Sequence, residues 1–229
     1  MKHGKKYLEA IKKIECDKDY SLEEASQLVK ELAFAKFTES VDLSVNLQLK
    51  KSQSVRDTCV LPNQFQEQKK ILVFCKGDKV EEAKAAGATY VGDIDLIDKI
   101  RGGWLDFDVA VATPDMMKDV GRLGPILGRK GLMPNPKTQT VTFDVKGALE
   151  ELQKGRVEFR SDKTGVVHMP IGKIDMDSAK VAENAKIAIK EIIRKKPADA
   201  KGEFILSIAL SSTMGPGVHV AVKDFMAGL

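Results

Sequence analysis

Residues 41–49 alternate without a break. Val41, Leu43, Val45, Leu47 and Leu49 are apolar, and Asp42, Ser44, Asn46 and Gln48 between them are polar. Successive strand side chains point to opposite faces, so this period of two predicts a strand with one dry and one wet face. Upstream the period is helical. Tyr7, Leu8, Ile11 and Ile14 line one side of residues 5–14, and Leu22, Ala25, Leu28, Val29 and Leu32 repeat in a second helix reaching Ala35. Ser21 with Glu24 three residues later is a capping box that places the start of this second helix. Residues 56–61 read as the antiparallel partner of the alternating strand, ended by Pro62.

Residues 63–70 are polar and aperiodic, a linker, and after them the grammar changes. An apolar strand at 71–75 is followed by a helix at 80–86 closed by Gly87, a short strand at Tyr90-Val91 and a helix at 95–101. Next come a strand at 109–112, a helix opening at Pro114 with Thr113 as its cap, and a helix at 144–152 ended by Lys154-Gly155. Strands alternating with helices predict an α/β layer on a largely parallel sheet. From Val157 the first grammar resumes, with strands at 157–160 and 166–171 around a turn at 162–165. A helix at 178–195 carries Val181, Ala185, Ala188, Ile189, Ile192 and Ile193 inward and stops before Pro197; strands at 204–210 and 218–222 follow. The expected fold is an antiparallel-sheet α+β domain formed by both termini, residues 1–66 and 156–229, with an inserted α/β domain at 67–155. Two chain crossings join them, a hinged arrangement.

Charge narrows the partners little. With 37 basic and 33 acidic residues the net charge is only +4, so any footprint on a polyanion must come from clustering. Cys16, Cys59 and Cys75 are odd in number and form no CxxC pair, which speaks against a disulfide framework or a cysteine zinc site and fits a reducing cytoplasm. The basic N-terminus lacks the apolar run of a signal peptide, and no run reaches membrane-spanning length, so no membrane partner is expected.

The glycine-rich stretch from Gly121 to Gly131 matches neither G-x-G-x-x-G nor G-x-x-x-x-G-K-[ST]. Arg122, Arg129, Lys130 and Lys137 around it read as a solvated basic loop or as a contact for an anionic polymer. His3, His168 and His219 have no neighbouring ligands at metal spacing, and Asp93, Asp95, Asp98, Asp106 and Asp108 read as helix-end and solvating charge. No metal, cofactor or catalysis is expected. A hinged α/β nucleotide-binding enzyme or small-ligand binder using the interdomain cleft is the alternative.

Between the last two strands stands Ser211-Ser212-Thr213-Met214-Gly215-Pro216-Gly217, longer than a tight hairpin needs. It is either a capped turn or a loop whose hydroxyls and bare backbone grip a ribose-phosphate chain, with Gly215 and Gly217 free to take positive φ. Lys36, Phe37 and Thr38 end the second helix, and Arg160, Asp162, Lys163, Thr164, Gly165 and His168 surround the other turn. On one sheet face these segments combine cations, hydroxyls and an apolar platform, the mixture of RNA sites. For Phe37 the competing reading is a core residue under the sheet.

Several long stretches resemble the bacterial ribosomal protein L-one family: LVKELAFAKFTESVD from Leu28, FDVAVATPDMMKDVG from Phe107, GLMPNPKTQTVT from Gly131, KGRVEFRSDKTGVVH from Lys154 and KGEFILSIALSSTMGPGV from Lys201. HGKKY at His3 extends the resemblance over nearly the whole chain. It implies a Rossmann-like inserted domain and no enzyme activity. It implies binding to large-subunit rRNA at the mobile stalk beside the tRNA exit site, assistance in release of exit-site tRNA, and repression of the protein's own mRNA. A cytoplasmic, ribosomal protein that is a monomer off the ribosome is expected. The family's RNA contacts carry over onto Lys36, Phe37, Asp162, Lys163, Thr164, His168, Thr213, Met214 and Gly215. Thr213 and the Gly215 backbone serve ribose and phosphate oxygens, Phe37 and Met214 make apolar contact, Lys36 and Lys163 meet phosphates, and Asp162 accepts from ribose or orders its turn. Arg129 and Lys130 are a secondary RNA contact. The family's glycine-rich basic hinge is replaced here by Pro62-Asn63-Gln64-Phe65-Gln66-Glu67.

Overall fold

The computed structural model describes residues 4–15, 18–50, 53–65, 69–76, 79–153, 155–197 and 202–222. Helices α1 (Lys5–Ile11) and α2 (Leu22–Leu32) precede strands β1 (Ser40–Leu47) and β2 (Arg56–Val60). Then come β3 (Ile71–Phe74), α3 (Lys79–Ala85), β4 (Tyr90–Gly92), α4 (Ile94–Arg101), β5 (Val109–Ala112), α5 (Met117–Val120), α6 (Gly124–Lys130) and α7 (Val145–Gln153). The chain finishes with β6 (Arg156–Arg160), β7 (Val166–Lys173), α8 (Ser178–Arg194), β8 (Ile205–Ser212) and β9 (Gly217–Val220). His3, Cys16, residues 66–68 of the linker, Lys154 and the Lys137 side chain lie outside the described residues. The chain forms two compact units, Met1–Phe65 with Val157–Leu229, and Gln66–Arg156.

The first unit is built on an antiparallel sheet in the order β7-β1-β8-β9. The odd positions of β1, Val41, Leu43, Val45 and Leu47, are buried with Val167, Met169, Ile208, Leu210 and Val218, and α2 and α8 close this face with Ala25, Val29, Ala185, Ile189 and Ile192. Position 21 caps α2 as its spacing predicts: the Glu24 N–H donates to Ser21 Oγ at 3.3 Å and the Ser21 N–H to Glu24 Oε2 at 3.2 Å. The even positions of β1 leave the other face of the sheet to solvent.

Strand β2 is not the partner of β1, as chain order suggested. It pairs with β6 in a separate two-stranded sheet, because both edges of β1 are taken by β7 and β8. Helix α2 also stops at Leu32, short of the end at Ala35 expected from sequence. Ala33 is already extended, and Phe34 packs on the core from the loop that follows.

The second unit has a parallel sheet in the order β4-β3-β5, extended by a bridge from Ala112 to Val141. Alternate residues of β3 feed two cores. Leu72 and Phe74 pack with Ile100, Met116, Leu123 and Leu127, whereas Ile71 and Val73 pack with Ala83, Val145 and Leu149. Helices therefore cover both faces, a Rossmann-like layer. The basic stretch read as a loop is helical: Gly121–Leu123 makes a 3-10 turn and α6 follows, ended by Gly131 at φ 74°. Its glycines hid an apolar stripe, Val120, Leu123 and Leu127, at helical spacing on the core. Thr113 makes no side-chain cap bond. It is buried, and Pro114–Met116 starts as a 3-10 turn.

Candidate nucleic-acid interface

One buried carboxylate organises the end of the sheet where β1 begins. Glu39 is 1% exposed, and its two oxygens accept from the N–H groups of Ala35 at 2.9 Å and Met214 at 3.0 Å. Burial pushes its carboxyl up, but bonds from the Met214 N–H, the Ser212 hydroxyl and the Ala35 and Phe34 N–H groups outweigh this and hold it below the ordinary glutamate value. The loop after α2 and the turn between β8 and β9 are thereby fastened together. Ser40 and Thr213 add a second clasp: the Ser40 N–H donates to Thr213 Oγ1 at 3.0 Å and the Thr213 N–H to Ser40 O at 3.1 Å.

What the two loops present is apolar. Phe37 is 55% and Met214 52% exposed, although the burial of such side chains is the usual outcome, and Lys36, Thr38 and Thr213 are exposed around them. The core reading of Phe37 is thus replaced by an outward one, because the loop leaves the helix before Phe37 can follow the apolar stripe. Ser211 pairs with Gly217, so the turn is shorter than the seven residues read from sequence. Neither Gly215 nor Gly217 takes positive φ. Gly215 is needed for a different reason, since a Cβ there would collide with Ser212 Oγ, which accepts from the Gly215 N–H.

The turn from Asp162 to Gly165 does not join this group. Asn46 pairs with Val166 and the Leu47 N–H donates to Gly165 O, which puts the turn at the far end of β1. Seven residues of strand separate it from Ser40, about 23 Å at roughly 3.3 Å per residue. The sequence-predicted residues thus form a strip rather than a cluster, with His168 between the ends. Asp162 orders its own turn: it accepts from the Thr164 N–H and hydroxyl at 2.8 and 2.7 Å and from the Val166 N–H at 2.8 Å. The Thr164 hydroxyl, then the Val166 N–H, hold this exposed carboxyl below its ordinary value. Lys163 is exposed at the tip.

Gly165 sits at φ 93°, where a Cβ would lie 2.7 Å from Leu47 O. Gly165→Ala should destabilise this unit by about 1–3 kcal/mol in urea unfolding, whereas Gly217→Ala, with nothing near the added methyl, should leave the midpoint unchanged. Equal midpoints would show that the turn relaxes.

Arg129 and Lys130 belong to the other unit, exposed on the last turn of α6. Among the described residues no group of three or more His, Cys, Asp or Glu is placed to hold a metal ion, and no helix is long and apolar enough to cross a membrane.

Glu39 and Ser40 were missed by the sequence reading, and Ser212 was read only among the loop's gripping hydroxyls, whereas it is buried against Glu39. A signal for two of them was present: Glu39 has the same parity as Val41, Leu43 and Val45, and Ser212 that of Ile208 and Leu210, so each is a polar residue on a dry face.

The sequence pattern of the Ribosomal protein L1p/L10e family matches residues 29–216. The chain belongs to that family. Large ribosomal subunit protein uL1 of Treponema denticola is 61% identical over 223 residues, covering 97% of this chain and 99% of the relative. Proteins of the same name from Borreliella afzelii and Borrelia hermsii are 61% and 58% identical over 219 residues, covering 96% of this chain and 97% and 98% of theirs. These L1 relatives are ribosomal proteins, not enzymes, so the hinged-enzyme alternative loses its ground. Both loops of the Glu39 clasp fall within the matched residues.

Proposed function

We propose that the chain is a structural protein of the large ribosomal subunit that binds rRNA at the stalk beside the tRNA exit site through its first unit. The observation that carries this reading is the Glu39 clasp, which holds Phe37 and Met214 outward together with Lys36 and Thr213. Exposed apolar side chains cost least where a sugar or base covers them, and cations and hydroxyls beside them suit phosphate and ribose. Lys163, the Asp162-ordered turn and His168 supply contacts further along the strip. The work is done in the cytoplasm, on the ribosome. Assistance in release of exit-site tRNA and repression of the chain's own mRNA, through a structure resembling the rRNA site, belong to the same reading and rest on family membership. Arg129 and Lys130 add a secondary contact.

The test is binding to a stem-loop fragment of the stalk rRNA across a salt series. Lys36→Ala and Lys163→Ala should each flatten the slope of log affinity against log salt by roughly 0.7–0.9, one phosphate contact each. Unchanged slopes would remove those lysines from the interface. Thr213→Val should weaken binding with little change in slope, in part because its hydroxyl also fastens Ser40.

A further inference from the structure

The solvent face of the four-stranded sheet carries a row that joins His168 to His219, a residue outside the strip described above. Ser44 of β1 pairs with His168 of β7 on one side and with Ala209 of β8 on the other, and Ala209 pairs with His219 of β9. Directly paired residues share a face, so His168, Ser44, Ala209 and His219 lie in one line across all four strands. Both imidazoles are exposed, and between them the floor is only a serine and an alanine. Three strand spacings of about 4.8 Å put the imidazole-bearing positions roughly 14 Å apart. In the flanking rows the two central strands carry Asp42 and Ser211 on one side and Asn46 and Ser207 on the other. The result is a shallow trough walled by two rings. Ser44 Oγ lies 3.0 Å from His168 Nδ1, which orients that ring and leaves Nε2 to a ligand.

We infer that His219 is a second imidazole contact for RNA and that the pair His168 and His219 strengthens RNA binding as the pH falls. The inference rests on the RNA-binding reading of this unit. A neutral imidazole offers a phosphate at most one N–H and no charge; an imidazolium adds a cation and a second N–H, which in His168 goes to Ser44 Oγ, and histidine is the side chain that makes this change between pH 5 and 8. The hydroxyls of Ser44, Ser207 and Ser211 face the same trough and suit ribose 2′-hydroxyls. The charged neighbours are few. Asp42 lies one row from His168 on the same face, its carboxyl pushed up by burial and drawn back by the His168 charge. Lys173 ends the outer strand opposite Ser40. Lys18 and Asp19 precede Tyr20, whose N–H donates to His219 O beyond the sheet's other edge. No other charged side chain lies on β1, β7, β8 or β9.

The experiment uses the full chain and the stalk rRNA stem-loop, with salt series at about pH 8 and about pH 5.5, either side of the imidazole range. The parent slope should steepen on acidification by roughly 1.4–1.8, two phosphate contacts at 0.7–0.9 each. His168→Gln and His219→Gln should each steepen by about half as much, and the double variant hardly at all. A His219→Gln variant that steepens as much as the parent overturns the assignment of His219. A double variant that does so overturns the pair. A parent that binds no stem-loop at either pH would instead sink the underlying RNA-binding reading, so the two failures are told apart.

Discussion

Alanine at both Phe37 and Met214 is expected to remove most of the rRNA affinity while the melting temperature stays within about 2 °C of the parent, since exposed substitutions cost within roughly 0.5 kcal/mol. Covering an aromatic or apolar platform with a nucleotide is worth about 1–3 kcal/mol per base, so each single alanine should weaken binding from roughly fivefold to more than a hundredfold. The two losses need not add, because one carboxylate fastens both loops. Neither side chain supports the core, being 55% and 52% exposed, so affinity and stability separate cleanly. Direct binding to the stem-loop, with a thermal melt of the same samples, decides it. A double variant that binds like the parent would mean the platform faces no RNA.

Glu39→Ala should behave oppositely, losing stability and affinity together. The change strands the Ala35 and Met214 N–H groups and the Ser212 hydroxyl beside the core, at about 1–3 kcal/mol for each buried orphan that water cannot reach. Taken at the low end for all three groups, about 3 kcal/mol, this lowers the melting of the first unit by roughly 6–12 °C. Affinity should fall as well, because Phe37 and Met214 would no longer be held in place before RNA arrives. The pH dependence has a definite sign. Glu39 is held below its ordinary value in the folded state, so it binds its proton less readily there than in the unfolded chain. Its contribution is complete above the unfolded value of about 4.3 and is lost as the pH falls through the lower folded value. Between these limits the parent should lose stability that Glu39→Gln never had. Parallel stability curves for the two proteins through that acid range would show that the carboxylate is not the clasp.

The proposed gain in RNA affinity on acidification and the acid loss of the Glu39 clasp can be read separately. Imidazoles charge between pH 5 and 8, where the clasp is intact. A gain in RNA affinity there and a loss of stability in stronger acid are distinct signatures of distinct groups.

Periodicity alone determined a good deal of this protein. The alternation of Val41 to Leu47 specified the wet and dry faces of β1, the Ser21–Glu24 spacing specified the start of α2, and the strand–helix alternation of 71–153 specified a parallel layer. These are local properties, in which side-chain direction follows directly from residue spacing. Tertiary structure alone decided which strands meet. β1 sits centrally between β7 and β8, so β2 was left to pair with β6, and no local signal distinguishes the two outcomes. It also decided that Phe37 turns outward, that the Asp162 turn lies a strand's length from Met214, and that His168 and His219 share a row. Each depends on contacts of β1 and its preceding loop with strands far along the chain, such as Ser44 with His168 and Glu39 with Met214, whose register is fixed by the buried faces packing together rather than by any neighbouring residue. Glu39 stands between the two cases. Its dry-face parity was legible as an anomaly, but the N–H groups that justify burying it came from a turn 175 residues away.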